Sequence, residues 1–453
     1  MNYSRNEISR EAFVAAIEEE VGRVASDLYE WLDDEVRTLE VMEEAVIGSM
    51  RQLGRVLLQK VCETKIPRYP SPRVECRCGH EAEYVCRRRG QTKTQVDWIE
   101  LKRPYYLCGS CGKGKYPVDE ALGFCAGGIS SGLDGLLAYV GTLLPYEEGA
   151  QLIERVMGVS ISASRVRYST EGLGELVAGD EAATVAAAWQ ADDPQLPTAA
   201  VSVTPLYISM DGIKVHTREE GWKEQRLGAL YSAEEVAPRT AEEELTIRAN
   251  SISYFTAMGD VEHFGQGLWV EAQRRGLDQA EQVIVIGDGA QWIWRLAQEH
   301  FPQATQILDW FHVTEYVWQA AKAIYGEDNP LGKRWARKQL DRLWDGQTQE
   351  VIRHLRSHER HKAVTDAIRY FQNNRQRMRY PEYRAQGLQI GSGTIESGCK
   401  HVIAHRFKQA GMRWSLPRLQ AVAKLRCRLK SDRWQETLDL RPPPSRAAQR
   451  NAA

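Results

Sequence analysis

The chain has 453 residues, 43% hydrophobic and 26% charged, with nine cysteines and a formal net charge of −2. That length suits about two to four domains, and the balance is that of an ordinary globular protein. No apolar run reaches the ~18 residues a bilayer-spanning helix needs, and no signal-peptide pattern is present, so neither a membrane partner nor export is expected and the cytoplasm is the expected location.

Residues 1–60 hold 13 acids and 7 bases, and from Arg10 to Lys60 apolar residues recur at helical spacing, as in Leu28, Trp31, Leu32, Val36 and Leu39. This predicts an N-terminal helical region, 1–66, of one or two helices that pack on their own domain or self-associate. Residues 67–120 change texture, with Pro, Gly, Cys and a strand-like run from Val96 to Leu101. Five of the nine cysteines fall between Cys76 and Cys111. Clustered thiols without an export signal argue for metal ligation over disulfides. Cys76-x-Cys78-Gly and Cys108-x-x-Cys111-Gly, separated by a strand-like stretch, predict a zinc ribbon with one structural Zn²⁺. The first pair is one residue shorter than the usual spacing. Cys86, between the pairs, is either a substitute ligand or a half-buried structural thiol.

Residues 121–180 read as three short helices. The first carries Leu133, Leu136, Leu137, Val140 and Leu143; the second runs from Tyr146 to Met157 and stops at Gly158; the third follows Ser160-Ile161-Ser162 and starts at Ala163. Helices broken by Gly and re-entered through Ser suit a helix-turn-helix-like domain, whose last helix would carry Arg165 and Arg167 into a DNA groove. The stretch from about Ala178 is rich in Ala, Asp and Pro and predicts a linker, 181–205.

From residue 206 the texture is α/β. Strands are predicted at Leu206–Met210, Arg226–Tyr231, Ser253–Met258, Gln282–Ile286 and Thr305–Leu308. Helices are predicted from Val261 to Arg275 and from Gln291 to His300. From Trp310 to Tyr380 the chain is helical and basic, and a Gly-rich turn at Gly391 opens a last helical stretch. Lys400 to Lys430 contains nine Lys or Arg and no acid, a localised basic surface suited to phosphates. Within it Arg406, Lys408, Arg413 and Trp414 mix charge with an aromatic ring, as contacts to an opened DNA end would.

Two hydrophobic strands end in Asp-Gly, at Asp211 and Asp288. In an open α/β sheet the carboxyl ends of buried strands are where ligands sit. Gly after each Asp leaves room for a phosphate or a metal-bound water. Glu396 is expected on a helix whose first turn Ser392 or Thr394 caps. Two strand-end carboxylates and one helix carboxylate can hold two Mg²⁺ (or Mn²⁺) ions about 4 Å apart, one activating a water or 3′ hydroxyl and one stabilising the leaving oxygen.

In these motifs the chain resembles the Kra-type insertion-sequence transposases and, more distantly, the Mutator-like transposases. The resemblance rests on the CxCG and CxxC ribbon, on Ser209-Met210-Asp211-Gly212 and on Ile286-Gly287-Asp288-Gly289-Ala290. It rests also on Asp309-Trp310-Phe311-His312 and on Gly391-Ser392-Gly393-Thr394-Ile395-Glu396-Ser397-Gly398. It implies a ribonuclease-H-like core in two parts, 206–323 and 386–432, around an all-helical insertion, 324–385, with a tail at 433–453. It implies that Asp211, Asp288 and Glu396 are the acidic triad and that His312 serves the site from the Asp309-x-x-His312 signature. The implied protein binds double-stranded DNA as a homodimer or higher oligomer in the nucleoid. It recognises terminal inverted repeats, cleaves 3′ ends and joins them to target DNA. A non-catalytic DNA-binding protein, and a ribonuclease-H-like nuclease without strand transfer, remain the alternatives.

Overall fold

The computed structural model describes residues 9–32, 37–67, 70–125, 127–190, 205–234 and 248–441. They divide into two compact units, Met1–Gly172 with Leu438–Ala453, and Leu173–Thr437. The chain is mixed α/β. No helix among the described residues is long and apolar enough to cross a membrane.

In the first unit the helical periodicity of the N-terminus forms α1 (Arg10–Leu32) and α2 (Leu39–Glu63). Leu58 and Cys62 of α2 pack with Ile99, Leu101 and Val118. Elsewhere on the two helices Val21, Tyr29, Val46, Ile47 and Met50 remain exposed, so this amphipathic pair buries only part of its apolar surface. The cysteine-rich segment is a sheet. β1 (Arg73–Glu75) pairs with β2 (Glu81–Thr94), which forms a long hairpin with β3 (Asp97–Cys108). Asp97 makes the turn at φ 78°, a conformation that Asp tolerates better than most residues. β4 (Gly114–Lys115) extends one edge, and after α3 (Pro117–Ala121), β5 (Phe124–Cys125) and β6 (Ile129–Ser130) extend the other. Then come α4 (Ser131–Leu143), α5 (Tyr146–Met157) and α6 (Ala163–Gln190). Leu133, Leu137, Val140, Ile153, Val159 and Val166 form their common core. Gly158 ends α5 in the left-handed conformation, φ 68°, and the Ser162 hydroxyl accepts from the Arg165 N–H at the start of α6.

The expected linker is shorter than its composition suggested. α6 runs on to Gln190, because its last turns are mostly Ala, the strongest helix former, and the three prolines lie beyond it at Pro194, Pro197 and Pro205. The expected boundary at residue 180 therefore falls inside a helix. Residues 191–204 of that linker, and 442–453 of the tail, lie outside the described residues.

The second unit holds a five-stranded sheet: β7 (Leu206–Thr217), β8 (Gly221–Glu234), β9 (Arg248–Met258), β10 (Val283–Gly287) and β11 (Thr305–Leu308), in the order β11-β10-β7-β8-β9. β7, β8 and β9 are antiparallel, whereas β10 runs parallel to β7 and to β11. Every residue of β10 and the first five of β7 are buried, as continuous apolar runs covered on both faces should be. α7 (Val261–Arg274) and α8 (Gln291–His300) precede and follow β10. After β11 the chain is helical throughout: α9 (Trp310–Tyr325), α10 (Pro330–Trp344), α11 (Thr348–Arg356), α12 (Lys362–Asn374) and α13 (Tyr380–Ala385). α12 shows why these helices associate: Val364, Ala367, Ile368 and Phe371 form one buried stripe. The chain then returns to the sheet through α14 (Gly393–Gly398), a π-helical turn (Cys399–Ala404) and α15 (His405–Phe407), and ends in α16 (Leu416–Lys430) and α17 (Trp434–Asp439).

Candidate metal centres and their surroundings

The four ribbon thiols converge. Cys76 and Cys111 Sγ lie 3.6 Å apart, as do Cys78 and Cys108, and all four donor atoms fall within 4.8 Å of one another. An S₄ tetrahedron around a metal at about 2.3 Å has edges of about 3.8 Å, whereas a disulfide is about 2.05 Å long. The residues thus fit a four-coordinate metal site. Gly79 at φ 83° and Gly112 at φ 67° let the backbone fold back beneath the thiols. The Gly79 N–H donates to the Cys76 carbonyl, and the Gly112 N–H to that of Cys108. The backbone N–H of Cys111, then that of Ser110, draws the Cys108 thiol down to about 6, the thiolate form that metal needs. Cys86 stands apart, at a bulge in β2 where the register slips between Tyr84 and Cys86.

The second centre lies at the carboxyl end of the parallel strands. The parallel pairing of β7 with β10 covers Leu206–Ser209, and Asp211 follows it directly. The expectation that this strand ends at Asp211 needs correction. β7 continues to Thr217, because beyond Ser209 it is held by β8 alone. Gly212 therefore sits mid-hairpin, where a Cβ would meet the Glu224 side chain. Asp288 does follow a strand end. Gly289 beside it adopts φ 102°, and a Cβ there would lie 2.5 Å from the Tyr370 ring, so both backbone and packing demand glycine.

Asp211 Oδ1 accepts from the Gly212 N–H at 2.6 Å, and its Oδ2 from Cys399 Sγ at 3.5 Å. Burial holds the Asp211 carboxyl above its ordinary range, the Gly212 N–H opposes this, and the charge of Asp288 adds to the rise. Asp288 Oδ1 accepts from the Ala290 N–H at 2.9 Å, and its carbonyl from the Tyr370 hydroxyl at 2.6 Å. Glu396 Oε1 accepts from Ser392 Oγ at 3.0 Å. Ser392 does not cap the backbone of α14 as expected; its hydroxyl holds Glu396 instead. Burial raises the Cys399 thiol, with Asp211 and then Glu396 contributing, so the sulfur lies within the field of both carboxylates. Gly398 lets α14 pack onto the sheet, since a Cβ there would be 2.8 Å from Tyr254 and 3.1 Å from Leu227. The π-helical turn after it exposes carbonyls that buried Arg426 takes: its guanidinium donates to those of His401 and Val402.

Asp309 ties the site together. It is fully buried and N-caps α9. Its Oδ2 accepts from the His312 N–H at 3.0 Å and from His312 Nδ1 at 2.6 Å, and its Oδ1 from the Ser392 N–H at 2.6 Å. This bond pushes the His312 imidazole up to about 9, against the opposing effect of burial. The group tight enough to hold one ion, with donors within 4.8 Å, is Asp309, His312 and Glu396, not the expected triad. Asp211 and Asp288 stand just past the paired stretch of β7 and β10, close enough that Asp288 and His312 both act on the Asp211 carboxyl. No Lys or Arg among the described residues forms an ion pair with Asp211, Asp288 or Glu396, and His312 beside them is itself paired with Asp309. Such a half-buried set of oxygens fits a hard divalent cation.

Several expected DNA contacts are instead structural. Arg406 is 1% and Trp414 8% exposed. The guanidinium lies 4.8 Å over the indole, which packs edge-on against Phe407 at 5.0 Å. Lys424, Arg426 and Arg428 of the basic stretch are likewise buried, and Arg428 pairs with Asp180 at 2.8 Å and Glu181 at 3.2 Å. Arg165 is half-buried and paired with Asp134 at 3.3 Å, which holds α6 to α4 and takes its charge from any groove. Arg167 is half-buried, and Lys408 and Arg413 are exposed. Ser392, Tyr370 and Cys399 were not read as site residues, though Ser392 and Cys399 flank Glu396 at short spacing.

The profile of the Uncharacterised protein family (UPF0236) matches residues 32–436. No curated protein matches the chain.

Proposed function

This chain belongs to the Uncharacterised protein family (UPF0236), and we propose that it is a DNA transposase of the Kra type, with a ribonuclease-H-like core formed by residues 206–323 and 386–432 around the helical insertion 324–385. What supports the reading is that Asp211 and Asp288 stand just past the paired stretch of adjacent parallel strands, and that Cys399, which donates to Asp211, lies three residues after Glu396 on the segment that returns after the insertion. The strand order, three antiparallel strands followed by two parallel ones on the far side of the first, supports the same core.

Asp211, Asp288 and Glu396 would hold Mg²⁺ or Mn²⁺, two ions per site. Bound there, the ions would supply an activated water or 3′ hydroxyl and charge stabilisation at the leaving oxygen. The chain's own residues do the rest. Asp309 fixes His312 and the start of α14 in one network, and Ser392 orients Glu396. Protonated His312 places positive charge beside the carboxylates, where a scissile phosphate would sit. The four-cysteine centre would hold one structural Zn²⁺. Lys408 and Arg413, and separately Arg167 on α6, would contact the phosphates of inverted repeats and target DNA. The apolar residues left exposed on α1 and α2 suit the homodimer that two transposon ends require. Such a protein works in the cytoplasm at the nucleoid.

The test is incubation with Mg²⁺ and labelled DNA carrying the inverted repeats that flank its gene. Wild type should cut 3′ ends and yield joined products. Asp211→Asn, Asp288→Asn and Glu396→Gln should each lower cleavage about 10²- to 10³-fold, the range for loss of a group that stabilises the transition state, with end binding little changed. Full cleavage by any one variant would remove that residue from the triad. Cleavage without joining would make the protein a nuclease, and binding without cleavage a DNA-binding protein.

A further inference from the structure

A cleft of about 1160 Å³ opens directly beside Asp288, walled by Gly289, α8 and the facing sides of α9 and α12. It exceeds the ~300–1,000 Å³ of most small-molecule sites, and its lining is aromatic, amide and charged, with Arg295, Arg369 and Arg377 against the carboxylate of Asp366, in place of the usual apolar wall. Tyr316 and Tyr370 stack face to face at 4.0 Å. Tyr316 stands one helical turn after His312 on α9, and the Tyr370 hydroxyl bonds the Asp288 carbonyl, so this wall is continuous with the carboxylates. Opposite, Trp294 is 5% exposed and its buried indole N–H has no partner among the described residues. Arg377 lies over that ring at 4.4 Å. Arg295 and Arg369 line the cleft, are exposed, and form no ion pair among the described residues.

Stacking surfaces, a buried donor without a partner and two uncommitted guanidiniums are what an unpaired nucleotide segment requires: rings for its bases, N–H for base edges and Arg for its phosphates. A rigid duplex would not bring its bases to rings that sit inside a cleft. We propose that this cleft holds an unpaired nucleotide segment of the DNA strand whose phosphate lies at the carboxylates. The proposal rests on the transposase reading for the origin of that strand, but not for the binding itself. It moves the stacking role expected of Trp414, which is buried, to half-buried Tyr316, and leaves Trp294 only its N–H as a donor.

The test uses the full-length Asp288→Asn protein and a fluorescein-labelled oligodeoxythymidine carrying 5-iodouracil, a photochemical crosslinker to aromatic side chains. The oligonucleotide should bind, and crosslinks should map to Tyr316 or Trp294. Arg295→Ala/Arg369→Ala, both exposed positions, and separately Tyr316→Leu should each weaken binding about tenfold, the order that loss of a base stack gives. Circular dichroism of each variant separates this from misfolding. No binding, crosslinks confined to other segments, or affinity unchanged in both variants would overturn the proposal. Cleavage of element ends by wild type with crosslinks elsewhere would sink the cleft and leave the transposase reading standing. Crosslinks at Tyr316 or Trp294 without cleavage by wild type would do the reverse.

Discussion

Asp309→Asn separates the network that organises the carboxylates from the carboxylates themselves. Asp309 accepts three hydrogen bonds with both oxygens. Asn keeps one acceptor and turns an N–H₂ toward either His312 or Ser392. The imidazole, held at about 9 by that bond, should fall toward its ordinary 6.5. That rise corresponds to at most about 3.4 kcal/mol, and because the imidazole is 32% exposed we expect roughly 2. The folded-state value lies above the unfolded one, so this stabilisation is fully present below pH 6.5 and lost as pH rises through about 9. The lost Ser392 bond, charge-assisted and buried, costs about 1.5–3 kcal/mol more at every pH. Two measurements check this. With ¹³Cε1-labelled histidine and no added Mg²⁺, the His312 signal should titrate near pH 9 in wild type and near its ordinary value in the variant. Urea unfolding of the second unit should show a wild-type advantage that is largest at pH 6 and shrinks by pH 9.5. Cleavage should fall about 10- to 100-fold, the range for partners behind metal-binding groups. An unchanged titration midpoint in the variant would show that another group holds the proton, and a pH-independent advantage would refute the linkage.

Metal analysis should find about one Zn²⁺ per chain, and Cys108→Ser with Cys111→Ser should lose it and lower the thermal midpoint of the first unit; full retention of zinc would exclude these thiols as its ligands. Arg428→Ala should destabilise the second unit by about 1–3 kcal/mol, since it leaves a buried gap and takes the ion partner of part-exposed Asp180, while Glu181 keeps Lys424. A loss below about 1 kcal/mol, read by urea unfolding, would mean that those acids are solvated once the guanidinium is gone.

What the sequence disclosed depended on the range of the interaction concerned. The strands of the second unit were legible because Leu206–Met210 and Gln282–Ile286 are apolar runs, a property of neighbours along the chain. The cysteine pairs were legible for the same reason: spacing alone sets which thiols can share an ion. The strand carrying Asp211 was legible, yet its end was not, because Asp-Gly breaks a strand only where no partner continues, and β8 continues beside it. The Ala-rich stretch after residue 178 read as a linker because its prolines were averaged over residues that precede them.

The basic stretch from Lys400 to Lys430 failed for a different reason, one that bears on function. A count of nine bases and no acid is blind to acids elsewhere in the chain. Asp180 and Glu181 neutralise Arg428 from some 250 positions away, Glu181 also pairs with Lys424, and the carbonyls of the π-helical turn absorb Arg426. Five of the nine, Lys400, Lys408, Arg413, Arg418 and Lys430, remain exposed. Arg426 holds α16 against the π-helical turn that follows Glu396, while Lys424 and Arg428 tie α16 to α6, so part of the charge that resembled a DNA surface is structural. The converse holds at the cleft. Arg295 and Arg369 stand among mixed charges on ordinary amphipathic helices, where no local count singles them out, yet both line the cleft and form no ion pair among the described residues. For a phosphate, the relevant quantity is the charge left after the protein's own acids have taken their share.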